Sequence, residues 1–261
     1  MSRTAAIITT LVILTGLIVG LLFWQERTRF EPQITPRSEA PPDDAIDEPA
    51  IRYPVPAAEA PAEPLPQLDE SDPSFESALS SLVGPRTFRA LYQPQSLVRR
   101  IVVTVDNLPR EVVADRLRPI QPAQGRFLVQ HEGNTVRIAP DNAKRYTPYV
   151  RALEAVNVER FTQVYARFYP LFQDAYRDLG YPNAYFNDRL VAVIDHMLAA
   201  PELSGPPQLV QPHVFYRYAD PALESASAGH KLMWRIGNEN ARRVKAKLRE
   251  IRTAVTAHKP E

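Results

Sequence analysis

The stretch "YFNDRLVAVIDHML", Tyr185–Leu198, brings Asn187, Asp188, Arg189, Asp195 and His196 into fourteen residues. Two carboxylates and an imidazole are the groups a general acid–base site needs. Their spacing argues against that use. On one helix Asp188 and Asp195 share a face about two turns, or ~10 Å, apart. A glycosidase pair must instead flank a bond from two sides at about 5–9.5 Å. Asp195 and His196 are sequence neighbours, so on a helix they point about 100° apart and form no ready-made dyad. The segment therefore reads first as structural, with Asp188 pairing to Arg145 or Arg189 or capping its helix, and second as a ligand site. A hydrolase of an envelope polymer using Asp188, Asp195 and His196 is the alternative.

A binding reading gathers Asn187, Asp188 and Arg189 with Arg145, Tyr146, Tyr176 and Tyr185. Tyr169, Tyr176, Tyr181 and Tyr185 could line a groove for sugars or peptides; the preferred reading is core, with their hydroxyls satisfied locally. Asp106, Asn107, Arg110, Arg145 and Tyr146 form a further polar set, and a buried Arg–Asp pair there would fix helix packing. The five histidines show no short metal-ligand spacing, and no Gly-x-Ser-x-Gly, Walker loop or Gly-x-Gly-x-x-Gly occurs. No metal and no cofactor is expected. With no cysteine, disulfides and thiolate chemistry are excluded.

These residues sit in a segment whose pattern is mainly helical with a little strand (α+β). "DESDPSFESALSSLVG" predicts a helix capped by Ser71 or Asp72 and ended by Gly84. "SLVRRIVVTVDNLPR" reads as strand by its β-branched run but as helix by the spacing of Leu97, Val98, Ile101, Val102 and Val105; helix is preferred. "GRFLVQHEGNTVRIAP" predicts a hairpin turning at "EGN". Further helices are expected from Thr147, as its cap; over "VERFTQVYARFYPLFQDAYRDLG", kinked or broken at Pro170 and closed by Gly180; and over "NAYFNDRLVAVIDHMLAAP". "GPPQLVQPHVFYRYADP" reads as extended, with one strand. "ALESASAGHKLMWRIG" and "NENARRVKAKLREIRTAVTA" are read as one helix each, the second capped by Asn238. Its basic residues surround an apolar row, so they read as a solvated face, and no nucleic-acid partner is expected.

The N-terminal part differs. "AAIITTLVILTGLIVGLLFW", Ala5–Trp24, has neither charge nor proline. Twenty apolar residues span the ~30 Å hydrocarbon core. A cleaved signal is the alternative, but no small-residue site follows. Residues 31–67 recur in proline, alanine and acid, a composition that cannot bury enough apolar surface to fold and would reach ~110 Å if stretched. The expected organisation is an anchor over 1–30, a disordered linker over 31–67 and a globular domain over 68–258. Net charge is +1. Arginines flank both sides of the apolar run, so the positive-inside count is ambiguous. The preferred orientation is single-pass, amino terminus in the cytoplasm and the domain in the periplasm. A domain left in the cytoplasm, its last helix meeting an acidic partner, is the other.

"VDNLPR", "RYTPYV", "YPLFQDAYRDLGYPNAYFNDRLVAVIDH" and "ADPALE…GHK" together resemble a bacterial family catalogued as domain-of-unknown-function family 3014. The resemblance runs from about Leu65 to about Val255. It implies a Gram-negative envelope setting, with an N-terminal membrane segment and a proline-rich stretch, and it brings no activity, cofactor or catalytic residue. The expected role is a non-enzymatic binding or scaffolding module for an envelope protein or cell-wall partner.

Overall fold

A computed structural model describes residues 50–56 and 64–258. The chain divides into two compact units, Met1–Asp47 and Glu48–Glu261. The first, with the apolar run Ala5–Trp24, lies outside the described residues. Among the described residues no helix is long and apolar enough to cross a membrane.

The second unit is mainly helical with one small sheet. α1 (Asp72–Val83) and α2 (Pro85–Leu91) meet at Gly84, whose φ of 87° lets one residue end the first helix and begin the second. Ser71 holds the cap position of α1, but its hydroxyl donates to the Leu68 carbonyl. Asp72 turns away from its own helix. Its carboxylate accepts the N–H groups of Ser96 (2.6 Å) and Leu97 (2.8 Å), starting α3 (Leu97–Asn107). That distant cap also holds Ser96 at a φ of 50°. The ambiguous β-branched run is thus helix, burying Leu97, Val98 and Val102 on one side.

β1 (Val129–Glu132) and β2 (Thr135–Ile138) form the expected hairpin, with Gly133 at φ 59° in its turn. A 3-10 run over Pro140–Tyr146 then feeds α4 (Thr147–Glu154) directly, so Thr147 continues a helical path and does not cap it. α5 (Val158–Asp178) is capped by Asn157, which accepts the Arg160 N–H at 2.9 Å. Of the kink or break expected at Pro170, the break does not occur: α5 runs as one element through it. Pro170 lies on the exposed side, where water can take the freed carbonyl. Gly180 follows its end at φ 107°.

α6 (Phe186–Leu198) comes next, then β3 (Gln208–Val210) and β4 (Arg217–Tyr218), two strands where one was expected. They extend the hairpin into a four-stranded antiparallel sheet of order β1-β2-β3-β4. The stretch read as a single helix splits into α7 (Pro221–Glu224) and α8 (Ala228–Ile236), because Ser227 caps the latter by accepting the His230 N–H. α9 (Asn238–Val255) starts after Gly237; Asn238 is inside it and donates to the Leu203 carbonyl.

Burial follows the aromatic stripe of α5. Tyr165, Phe168, Leu171, Phe172 and Tyr176 pack with α1, α2, α3, α6 and the end of α9. Phe75 meets Phe168 edge-on at 5.1 Å, and Phe172 stacks on Phe186 at 5.5 Å. A second cluster joins α6 (Val193, Met197) to α8 and α9 (Met233, Ile236, Ala241). The sheet covers Trp234 with Ile138, Leu209 and Tyr218. α6 contributes to the first two clusters, so its polar residues lie among packed surfaces.

Candidate functional site

Asn187 is fully buried. Its Oδ1 accepts the Tyr165 hydroxyl (3.0 Å), and its Nδ2 donates to the carbonyls of Tyr53 (2.8 Å) and Val255 (3.0 Å). Asp188 accepts the backbone N–H groups of Arg52 (3.1 Å) and Tyr53 (2.9 Å). Neither Arg145 nor Arg189, the basic partners expected from sequence, holds it. Together the two side chains fasten residues 50–56, which the composition assigns to the linker, onto the domain. Tyr53 and Val55 pack against the main core there.

Arg189 turns to α3. Its Nε donates to Asp106 Oδ1 (2.9 Å) and its Nη2 to the Asp106 carbonyl (2.7 Å). Arg110 donates to Asp106 Oδ2 at 2.7 Å and to the Tyr181 hydroxyl at 2.9 Å. Asp106 is buried, and its charge raises the pKa of the half-exposed Arg110. Tyr176 is buried and stacks on Tyr181 at 4.6 Å. The Asp106 set therefore locks α3 to α6, the packing role anticipated for it.

Asp195 and His196 diverge, as helix geometry requires. Asp195 takes Arg252 of α9 in a two-pronged pair at 2.5 and 3.0 Å. His196 Nε2 lies 2.7 Å from Ser227 Oγ, and its ring stacks on His230 at 4.2 Å. His230 Nε2 carries a proton, since it donates to the His196 carbonyl at 2.9 Å. Burial first, then His230, then Arg189 lower the pKa of His196.

A serine 2.7 Å from an imidazole has the spacing of a nucleophile and its base. The surroundings do not complete that chemistry. Ser227 Oγ already accepts the His230 N–H. The next two N–H groups, those of Ala228 and Gly229, donate to the carbonyls of Arg110 (2.6 Å) and Leu108 (2.8 Å), so they are not free to hold an oxyanion. The result is a helix cap on which two imidazoles stack. Ser227 and His230 were not singled out in sequence, although a serine three residues before His230 at a helix start is a readable cap signal.

The remaining predicted residues lie elsewhere. Arg145 donates to the carbonyls of Gln124, Ala123 and Gly125 and to Asn142 Oδ1, bracing the loop before β1. Its guanidinium sits 5.6 Å from the centre of the Tyr146 ring, which packs in the second cluster. Tyr185 occupies the position before α6, half-buried, without a side-chain cap bond. Asn187, Asp188, Arg189 and Tyr176 thus share the α6 neighbourhood, while Arg145 and Tyr146 serve a different contact. Among the described residues no group of three or more His, Asp or Glu side chains is placed to hold a metal ion.

The segments that meet around α6 and the start of α8 are "VDNLPR", "YFNDR" and "AGHK". They lie within residues 97–252, which match a family model described as a protein of unknown function (DUF3014). No curated protein and no solved structure matches the chain. With more than half of its length covered by that model, the chain belongs to the DUF3014 family.

Proposed function

We propose that this chain is a membrane-anchored envelope protein whose Glu48–Glu261 unit is a non-enzymatic binding or scaffolding module. In this reading Ala5–Trp24 spans the inner membrane once, the proline-rich stretch spaces the domain from it, and the domain works in the periplasm on a protein or cell-wall partner. The observation that carries the binding role is the β3–β4 loop. Val214 and Phe215 at its tip are 77% and 82% exposed, and Val210 beside them is also exposed. Large apolar side chains held side by side in water mark a contact surface more than a fold requirement. The non-enzymatic part is supported by the polar residues of α6, each of which holds another part of the chain.

The test is photo-crosslinking in growing cells, with a photoreactive phenylalanine analogue at position 215 and, as control, at exposed Gln163. A discrete adduct from position 215 alone supports the reading. Equal or absent adducts from both positions contradict it.

A further inference from the structure

We propose that the groove formed by the start of α6 and the last turn of α9 is a peptide-recognition site. It is filled in cis by Ile51–Pro56 and takes, in exchange, a partner segment bearing an aromatic residue followed by proline. Among the described residues, the hydrogen bonds that seat the strap use its main chain alone: two N–H groups donate to Asp188 and one carbonyl accepts from Asn187. Main-chain recognition supplies affinity while leaving sequence choice to side-chain pockets, which is how extended peptides are bound.

The Asn187 side of the groove is held by contacts outside the strap. Asn187 is held from behind by Tyr165 of α5 and by the Val255 carbonyl of α9. Arg252, in the last turn of α9, is paired with Asp195 of α6, which joins the two walls of the groove. The pocket for specificity is the apolar floor on which Tyr53 and Val55 rest. Pro54 and Pro56 have no N–H to satisfy, and their fixed φ lowers the entropy lost on docking. A short strap joined by few bonds belongs to the low-stability end of a fold, where local opening precedes global unfolding.

Exchange has a mechanical consequence. Releasing the strap frees residues 50–56 and adds about 20 Å of spacer at the extended rise of such chain. Partner binding and spacer length then become alternatives set by one groove. This deepens the binding-module reading but stands apart from it: it holds on either side of the membrane and whether or not the β3–β4 tip has a partner.

The test is hydrogen–deuterium exchange on the full chain in detergent, with and without a synthetic peptide of residues 50–56. The expected result is exchange of the strap at least about tenfold faster than that of α3, accelerated further by the peptide while α3 is unchanged. A peptide with its tyrosine changed to serine and its prolines to alanine has no effect. Asp188→Ala raises strap exchange and removes the response, with α3 protection reporting that the domain stays folded. Strap exchange in step with α3, or fast exchange indifferent to the peptide, overturns the proposal.

Discussion

Asn187 satisfies a tyrosine hydroxyl and two main-chain carbonyls from three separate parts of the chain. Removing it strands those groups in a dry site, where an unsatisfied partner costs more than a bond made in water returns. Asn187→Ala is expected to lower stability by about 2–4 kcal/mol in urea unfolding. Asp195→Asn breaks a solvent-facing pair with Arg252 and is expected to cost about 1 kcal/mol or less. His196 adds a pH dependence. Burial, then His230 and Arg189, holds its folded pKa below the ordinary value of 6.5, so the unfolded chain takes the proton first as pH falls. Its contribution is complete above about pH 6.5 and is lost as pH drops through the folded pKa. Stability measured from pH 7.5 down to 5 should therefore decline. His196→Gln, which keeps a partner for Ser227, should flatten that decline.

At the scale of elements, α8 is the piece whose seat is most constrained. Its first N–H groups bond the loop after α3, and Gly229 lies against that loop so closely that an added Cβ would meet Met197 Sδ at 2.4 Å and the Leu108 carbonyl at 3.1 Å. The methionine end can swing aside; the carbonyl cannot without moving the loop. Gly229→Ala is expected to lower the unfolding midpoint by the equivalent of about 1–3 kcal/mol. This seat was not legible in the sequence, where Gly229 is one residue inside an ordinary helical pattern. The helices were legible where an apolar row repeats, as in α5, α6 and α9, and so was the β1–β2 hairpin from its turn. Errors fell where tertiary contacts overrule a local signal. Asp72 looks like a cap for its own helix and caps α3. Asn238 looks like a cap and instead binds Leu203. Ser227 divides what reads as one helix. The candidate site was half legible. The Asp106–Arg pairing followed from residue types, but Asp188 binds backbone N–H groups, which carry no sequence signature.

On the scale of the whole molecule, two parts of unlike composition are joined. The Glu48–Glu261 unit owns its core, and residues 50–56 are part of what it packs. The twenty uncharged residues Ala5–Trp24 have the length that the proposed membrane span requires. The proposed role therefore turns on where the domain is delivered. The direct measurement is a pair of fusions after Glu261 in a Gram-negative host, one to alkaline phosphatase and one to a fluorescent protein that matures only in the cytoplasm. The account predicts an active phosphatase and a dark fluorescent fusion. A bright fluorescent fusion with an inactive phosphatase would contradict it and place the domain, with its basic last helix, among cytoplasmic partners.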